Sequence, residues 1–295
     1  MPNPYIGRFA PSPTGPLHAG SLVAAMASYL DAKAHAGHWL VRIEDIDEGR
    51  SVPGAADRIL QSLLAFGMHW DGEVVWQSKR KNLYQEAFDR LSGHTYPCAC
   101  TRSEIADSHI GVAADGATVY PGTCRNGLTP GKQVRAFRLR VPDRNQSGEC
   151  IRFEDAWAGP ASQHLAIEVG DFVLKRADGY WAYQLAVVVD DAAQQVTHVV
   201  RGADLLESTP RQIYLQRLLH LPTPHYLHVP AMLNQQGEKL SKQTGAMEIN
   251  VADPLDTLVR TAHFLGLEMA PSNSIEQFWQ SAIVAWNRQV RKAPL

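Results

Sequence analysis

Three groups of residues in this sequence have types and spacings that could do chemistry. The first is His18-Ala19-Gly20-Ser21, which directly follows the loop Pro11-Ser12-Pro13-Thr14-Gly15-Pro16 and Leu17. At the start of a helix, backbone N–H groups and the positive end of the helix dipole make a natural site for phosphate. Gly20 lets a purine or ribose approach the backbone closely, Ser21 sits beside it, and His18 can donate to phosphate oxygens whose charge grows in a transition state. The alternative is a histidine with a purely structural place after a Pro-Gly-Pro loop. The second group is Gly237-Glu238-Lys239-Leu240-Ser241-Lys242-Gln243. Its two lysines can neutralise a departing phosphate group, Lys242 foremost, or they can belong to an ordinary solvated basic loop. The third group is Cys98-Ala99-Cys100 with Cys124, three cysteines within 27 residues, while Cys150 stands apart. In a reducing compartment such a cluster suits a metal better than a disulfide framework, although cysteines also pack as small apolar side chains. A structural zinc needs four donors, and His109 is the chemically obvious candidate for the fourth.

These groups are useful only if the chain brings them together. Tyr5 to Ala10 reads as a strand, Leu17 to Ala36 as a helix carrying Leu22, Val23, Met26 and Leu30 with Gly37 as its stop, and Trp39 to Ile43 as a second strand. Strand, glycine-bearing loop, helix and strand make a nucleotide-type βαβ unit with a parallel sheet. A helix starting near Pro53 carries Ile59, Leu60, Leu63 and Leu64, and Ser78 can cap another that carries Leu83, Tyr84, Ala87, Phe88 and Leu91. Residues 97 to about 180 lose this periodicity and read as an α+β insertion of short strands, among them Arg135 to Val141. Val187 to Val189, before Asp190-Asp191, and Gln195 to Arg201 read as buried strands that resume the sheet. Thr209-Pro210 opens a helix, and Leu255 to Leu265 and Ile275 to Val290 form a small helical end. The expected fold is therefore α/β: a Rossmann-like parallel sheet with an α+β metal-bearing insertion and a small C-terminal helical domain. The boundaries expected are 1–96 and 183–243 for the two halves of the core, 97–182 for the insertion and 244–295 for the helical end.

The segment from Arg8 to Ser21, RFAPSPTGPLHAGS, resembles the first signature of class I aminoacyl-tRNA synthetases in its glutamyl-branch form. Ala19 and Ser21 replace two positions of the usual His-Ile-Gly-His. Residues 239–243, KLSKQ, resemble the second signature, Lys-Met-Ser-Lys-Ser. The segment from Tyr183 to Asp191 and the run Arg201-Gly202-Ala203-Asp204 are similar to further glutamyl-branch motifs. The resemblance implies ATP with Mg2+ bound by His18, Gly20, Ser21 and Lys242, with His18, Lys239 and Lys242 catalytic.

An acidic amino acid offers two carboxylates and one ammonium, so its pocket needs two cations and an anion. Arg8 and Arg201 can supply the cations and Glu44 the anion, all at carboxyl ends of expected strands. The resemblance adds Tyr183 and the first-signature residues Phe9, Ala10, Pro11 and Ser12 to the L-glutamate pocket. Asp190-Asp191 could equally be a turn or capping pair. In relatives with the cysteine pattern, the resemblance implies Cys98, Cys100, Cys124 and Tyr120 as ligands of one structural Zn2+.

About 52 residues follow the second signature, too few for the anticodon-reading domain that a glutamyl-tRNA synthetase carries. The expected function is that of a truncated paralogue, which attaches glutamate to queuosine in the anticodon loop of tRNA(Asp). A minimal glutamyl-tRNA synthetase charging a tRNA 3′ end, an adenylate-forming ligase for a small molecule and a catalytically silent RNA-binding paralogue are the alternatives.

Composition sets outer bounds. With 45% hydrophobic and 20% charged residues the chain is neither disordered nor fibrous, and a net charge of −2 excludes a generally basic surface. No membrane span or signal peptide is legible, so a cytoplasmic monomer is expected.

Overall fold

The computed structural model describes residues 4–108, 111, 112, 116, 118–232 and 249–290. Lys239, Lys242 and His109 lie outside the described residues. The chain begins with strand β1 (Ile6–Phe9), helix α1 (Ala19–Ala34), β2 (His38–Ile43), α2 (Ala55–Ala65), β3 (Val75–Trp76) and α3 (Lys81–Arg90). It continues through β4 (Thr95–Cys98), α4 (Arg102–Ser108), β5 (Ala136–Leu139), β6 (Cys150–Asp155), β7 (Gly159–His164) and β8 (Phe172–Arg176). Last come α5 (Tyr183–Ala193), β9 (His198–Gly202), α6 (Thr209–Leu218), β10 (His225–Val229), α7 (Pro254–Phe264) and α8 (Ile275–Val290).

The expected βαβ unit is present: β1 and β2 pair in parallel, with Arg8 opposite Leu40, and β3 extends the sheet in parallel beside β2. A second sheet runs in the order β7-β6-β10-β9, in which β10 is parallel to both β9 and β6. The two sheets meet along β1 and Thr197, the residue before β9. The Ile6 amide donates to Thr197 Oγ1 at 2.8 Å, and the Thr197 amide donates to the Ile6 carbonyl at 2.9 Å. The parallel strands therefore end side by side at one rim, where open α/β sheets take their ligands. β4, β5 and β8 form a separate antiparallel sheet. β6 and β7, which come from the irregular middle of the sequence, pair with each other, and β6 pairs with β10 rather than with that sheet.

One expected strand is a helix. Val187–Val189 lie inside α5, not in the sheet. A short apolar run carries no period of its own, and here Leu185 to Asp191 are all buried because α5 packs between α3 and α6. The same placement corrects the reading of Asp190-Asp191 as a turn or capping pair, since both sit within the helix body. Ser78 does not cap α3, which begins at Lys81; its amide and hydroxyl both donate to Asp45, at 2.8 and 2.6 Å. Nor is Gly37 the left-handed residue that ends α1: that is Ala36, at φ 49°. Glycine is required at 37 because a Cβ there would lie 2.6 Å from the Tyr5 carbonyl oxygen.

The main core packs α1, α2, α7 and α8 around β1 and β2, with Trp39, Phe66, Phe278 and Trp286 almost wholly buried. A second core joins α3, α5 and α6 to β8. No helix among the described residues is long and apolar enough to cross a membrane.

Candidate active site

A cavity of about 640 Å³ opens at the rim where the parallel strands end. All the described candidates for ATP and amino-acid binding line it: Arg8, Phe9, Ala10, Pro11, Ser12, His18, Gly20, Ser21, Glu44, Tyr183 and Arg201. Each owes its place to an element end. Arg8 and Phe9 close β1, Glu44 follows β2, Tyr183 opens α5, and Arg201 lies next to the end of β9. The loop is pinned to the second strand by the Glu44 amide, which donates to the Pro11 carbonyl at 2.9 Å.

His18 is the N-cap of α1, and its Nδ1 accepts from the Ser21 amide at 3.3 Å. The structural reading of this residue holds, and the cap that satisfies an orphan N–H also sets the imidazole against the cavity at the positive end of the helix. The described residues flanking the second lysine motif are at the same mouth. Pro230, Ala231 and Met232 line the cavity, and the Ile249 amide donates to the Leu17 carbonyl at 3.2 Å.

The two arginines are held in different ways. Arg8 pairs directly with Asp191, Nε to Oδ1 at 3.1 Å, and both are nearly buried. Burial alone would raise the Asp191 carboxyl, but Arg8 and Arg42 prevail and hold it below the usual carboxylate range. Arg42, which is fully buried, also meets Glu44 at 3.2 Å and Asp191 at 2.8 Å. Asp190 is bound from its other side by Gln77, Arg80 and Tyr84 at 2.9, 2.6 and 2.7 Å. Arg201, by contrast, meets neutral acceptors: His228 Nε2 at 3.0 Å, Thr209 Oγ1 at 2.9 Å, and the Tyr183 hydroxyl and Leu205 carbonyl at 3.4 Å. Burial pushes the Glu44 carboxyl above its usual range despite Arg42 and Arg8, and burial also raises the Tyr183 phenol. The cleft therefore presents two guanidinium groups, one of them without a carboxylate directly against it in these contacts, and a carboxyl that gains from a cation beside it.

Arg42, Asp155, Thr209 and His228 had no signal as site residues in the sequence. Arg42 and His228 sit inside strands, Asp155 ends β6 and Thr209 opens α6, and only the fold brings them behind the pocket residues. Asp47, Arg50, Arg176 and Trp181 also line the cavity, and Arg176 Nη1 reaches Asp47 at 3.2 Å, so the β8 region supplies part of the wall.

Away from the cleft, the sulfur atoms of Cys98, Cys100 and Cys124 lie within 4.8 Å of one another. Cys100 and Cys124 are 3.6 Å apart, and the Tyr120 hydroxyl is 3.4 Å from both Cys98 and Cys100. Tetrahedral Zn–S bonds of about 2.3 Å place sulfurs roughly 3.8 Å apart, so the donor set has the size and softness of a zinc site. Burial, with the neighbouring thiols, pushes the Cys100 thiol up to about 11. Arg138 lies over the Tyr120 ring, 3.9 Å from its centroid.

A parallel sheet with a capped phosphate-type loop at its rim and a two-arginine, one-carboxylate pocket beside it defines a class I synthetase catalytic domain. Residues 6–284 match the family of class I tRNA synthetases (E and Q), catalytic domain. The chain is 68% identical over 289 residues to the glutamyl-Q tRNA(Asp) synthetase of Janthinobacterium sp. (strain Marseille), covering 98% of this chain and 99% of that relative. It is 62% identical over 285 residues to the protein of the same name from Verminephrobacter eiseniae (strain EF01-2), covering 97% and 98%. The chain belongs to the glutamyl-Q tRNA(Asp) synthetase family. Among solved structures it resembles the glutamate-tRNA synthetase of Elizabethkingia anophelis, with a TM-score of 0.76 at 25% identity, covering 95% of this chain and 66% of that one.

Proposed function

We propose that the chain activates L-glutamate with ATP and transfers the glutamyl group to queuosine in the anticodon loop of tRNA(Asp), as a cytoplasmic monomer. The observation that supports this best is the convergence of Arg8, Glu44, Tyr183 and Arg201 on one cavity with the N-terminus of α1. Glu44 receives the ammonium of glutamate, and Arg8 and Arg201 receive its carboxylates, with Tyr183 and Phe9 to Ser12 closing the pocket. A glutamate carboxylate oxygen attacks the α-phosphorus of ATP and pyrophosphate leaves. A hydroxyl of the queuosine cyclopentenediol then attacks the glutamyl carbonyl, and AMP leaves. No covalent enzyme intermediate is needed, so the enzyme contributes orientation and charge stabilisation. His18, Gly20 and Ser21 bind the nucleotide; Lys239 and Lys242 neutralise the departing pyrophosphate, for which Mg2+ supplies further positive charge when bound. Cys98, Cys100, Tyr120 and Cys124 hold one structural zinc.

ATP–pyrophosphate exchange, run with each amino acid and with and without tRNA, tests the first half. Glutamate should support exchange and glutamine should be disfavoured by about 2–5 kcal/mol, roughly 30-fold or more, because its amide leaves a buried guanidinium uncompensated. Transfer should require queuosine in tRNA(Asp) and survive removal of the 3′-terminal adenosine. Loss of product on clipping that adenosine would instead identify a minimal glutamyl-tRNA synthetase.

A further inference from the structure

The three strands that meet beneath the amino-acid pocket carry a buried polar chain. Asp155 ends β6, His228 lies in β10, and Arg201 is His228's register partner in β9. Asp155 Oδ2 accepts from His228 Nδ1 at 2.6 Å, and His228 Nε2 accepts from Arg201 Nε at 3.0 Å. The side chains of Asp155 and His228 are fully buried. A guanidinium has only donors, so the imidazole nitrogen facing Arg201 must be bare and the ring proton must sit on Nδ1, toward Asp155. Asp155 is itself fixed: its Oδ1 accepts from the amides of His228, Trp157 and Ala158 at 3.1, 3.0 and 2.8 Å.

We infer that Asp155 and His228 are positioning residues for glutamate, a relay that fixes the tautomer and plane behind Arg201 so that its remaining N–H groups are aimed at the substrate carboxylate. The inference rests on the reading of the cleft as a glutamate site. His228 and Thr209 take the Nε and Nη2 hydrogens at short range, and Nη1 shares the cleft wall with the Tyr183 hydroxyl at 3.4 Å. A neutral imidazole does this without cancelling the charge. The contrast is with Arg8, where Asp191 both orients and neutralises. Burial holds the His228 imidazole below its usual range, in keeping with a ring that stays neutral against a cation. With the carboxylate one residue removed, Arg201 is oriented yet still in need of an anion.

The test uses the intact chain in glutamate-dependent ATP–pyrophosphate exchange, with His228→Leu, Asp155→Asn and His228→Gln. Leucine removes the acceptor. Asparagine can donate to Nδ1, which moves the ring proton to Nε2 and sets it against the Arg201 N–H. Both should raise the glutamate KM about tenfold or more while the ATP KM stays within about threefold. Glutamine, whose oxygen can accept from Arg201 while its amide reaches Asp155, should recover most of that loss. Unchanged glutamate KM in the first two variants, or an ATP KM that rises in step with it, would overturn the proposal. Nitrogen-15 spectra of His228 in the wild-type chain provide a reading that needs no variant to fold: a neutral ring protonated at Nδ1 is expected, and protonation at Nε2 sinks the relay. Absence of glutamate-dependent exchange in the wild type would refute the glutamate reading itself, a result separable from any variant effect.

Discussion

Glu44 shows how one side chain can be stabilised poorly by its own fold and well by a ligand. Its carboxyl is raised above the usual range by burial, so the folded chain holds this proton to higher pH than the unfolded chain does. Between those two values the folded state binds more protons, and stability falls as pH rises through the window; above it, ionised Glu44 is a standing strain. Glu44→Gln, which keeps an oxygen for Arg42, should therefore leave the melting temperature at neutral pH unchanged or higher. The same variant should raise the glutamate KM by roughly 30-fold or more, since an ammonium would face an amide where it needs an anion. In the wild type the glutamate KM should fall as pH rises through the raised Glu44 pKa, and a flat profile across the acid range would contradict the ammonium role. Lys242→Ala is expected to lower the exchange rate at least about a hundredfold with a glutamate KM within a few-fold, because a charge acting on leaving pyrophosphate is felt mainly in the transition state.

At the level of elements, the parts legible in the sequence were those with a period or a cap. The β1-α1-β2 unit, α6 with Pro210 at its start, and α7 and α8 fall where apolar spacing and Pro or Gly signals put them. The pocket residues Arg8, Glu44 and Arg201 were legible for the same reason, being charges at the ends of apolar strands. α5 was not, because its five consecutive apolar residues satisfy a strand and a buried helix equally. Nor was the relay behind Arg201, since His228 in a run such as His225–Val229 reads as one more core residue until β10 is known to lie between β6 and β9. The Cys98–Cys124 region is legible only as a donor set, and its geometry makes the sharper statement. Metal analysis of chelator-free protein should find about one zinc per chain, and Cys98→Ser should lose both the metal and thermal stability. A metal-free protein with an equally stable Cys98→Ser variant would make the cluster a packing feature.

For the molecule as a whole, α1 is the common member. It packs on β1 and β9 on one side and on α7 and α8 on the other, while its N-terminus carries His18. Trp286 of α8 is fully buried, and its indole N–H donates to Asp31 of α1 at 2.9 Å. Trp286→Ala should cost about 3–5 kcal/mol through the lost volume, a fall of at least about 6 °C in melting temperature. Measured well below that transition, its ATP KM should be that of the wild type, whereas a rise in the glutamate KM would show that the helical end reaches the pocket through Trp157, whose ring stacks on Trp286 at 6.0 Å between centroids and whose amide donates to Asp155.

The seam between β1 and Thr197 has a consequence for how the chain is made. The residues bonded across it, Ile6 and Thr197, are 191 positions apart. At a synthesis rate of roughly 5–20 residues per second, β1 leaves the ribosome about 10–40 s before the residue that completes its outer edge. β2 arrives early and covers one side, so through that interval the other edge of β1 stays open next to the phosphate loop. The order of translation thus sets a period in which the β1 edge of this N-terminal unit is open to pairing with a neighbouring chain, and slower elongation lengthens it.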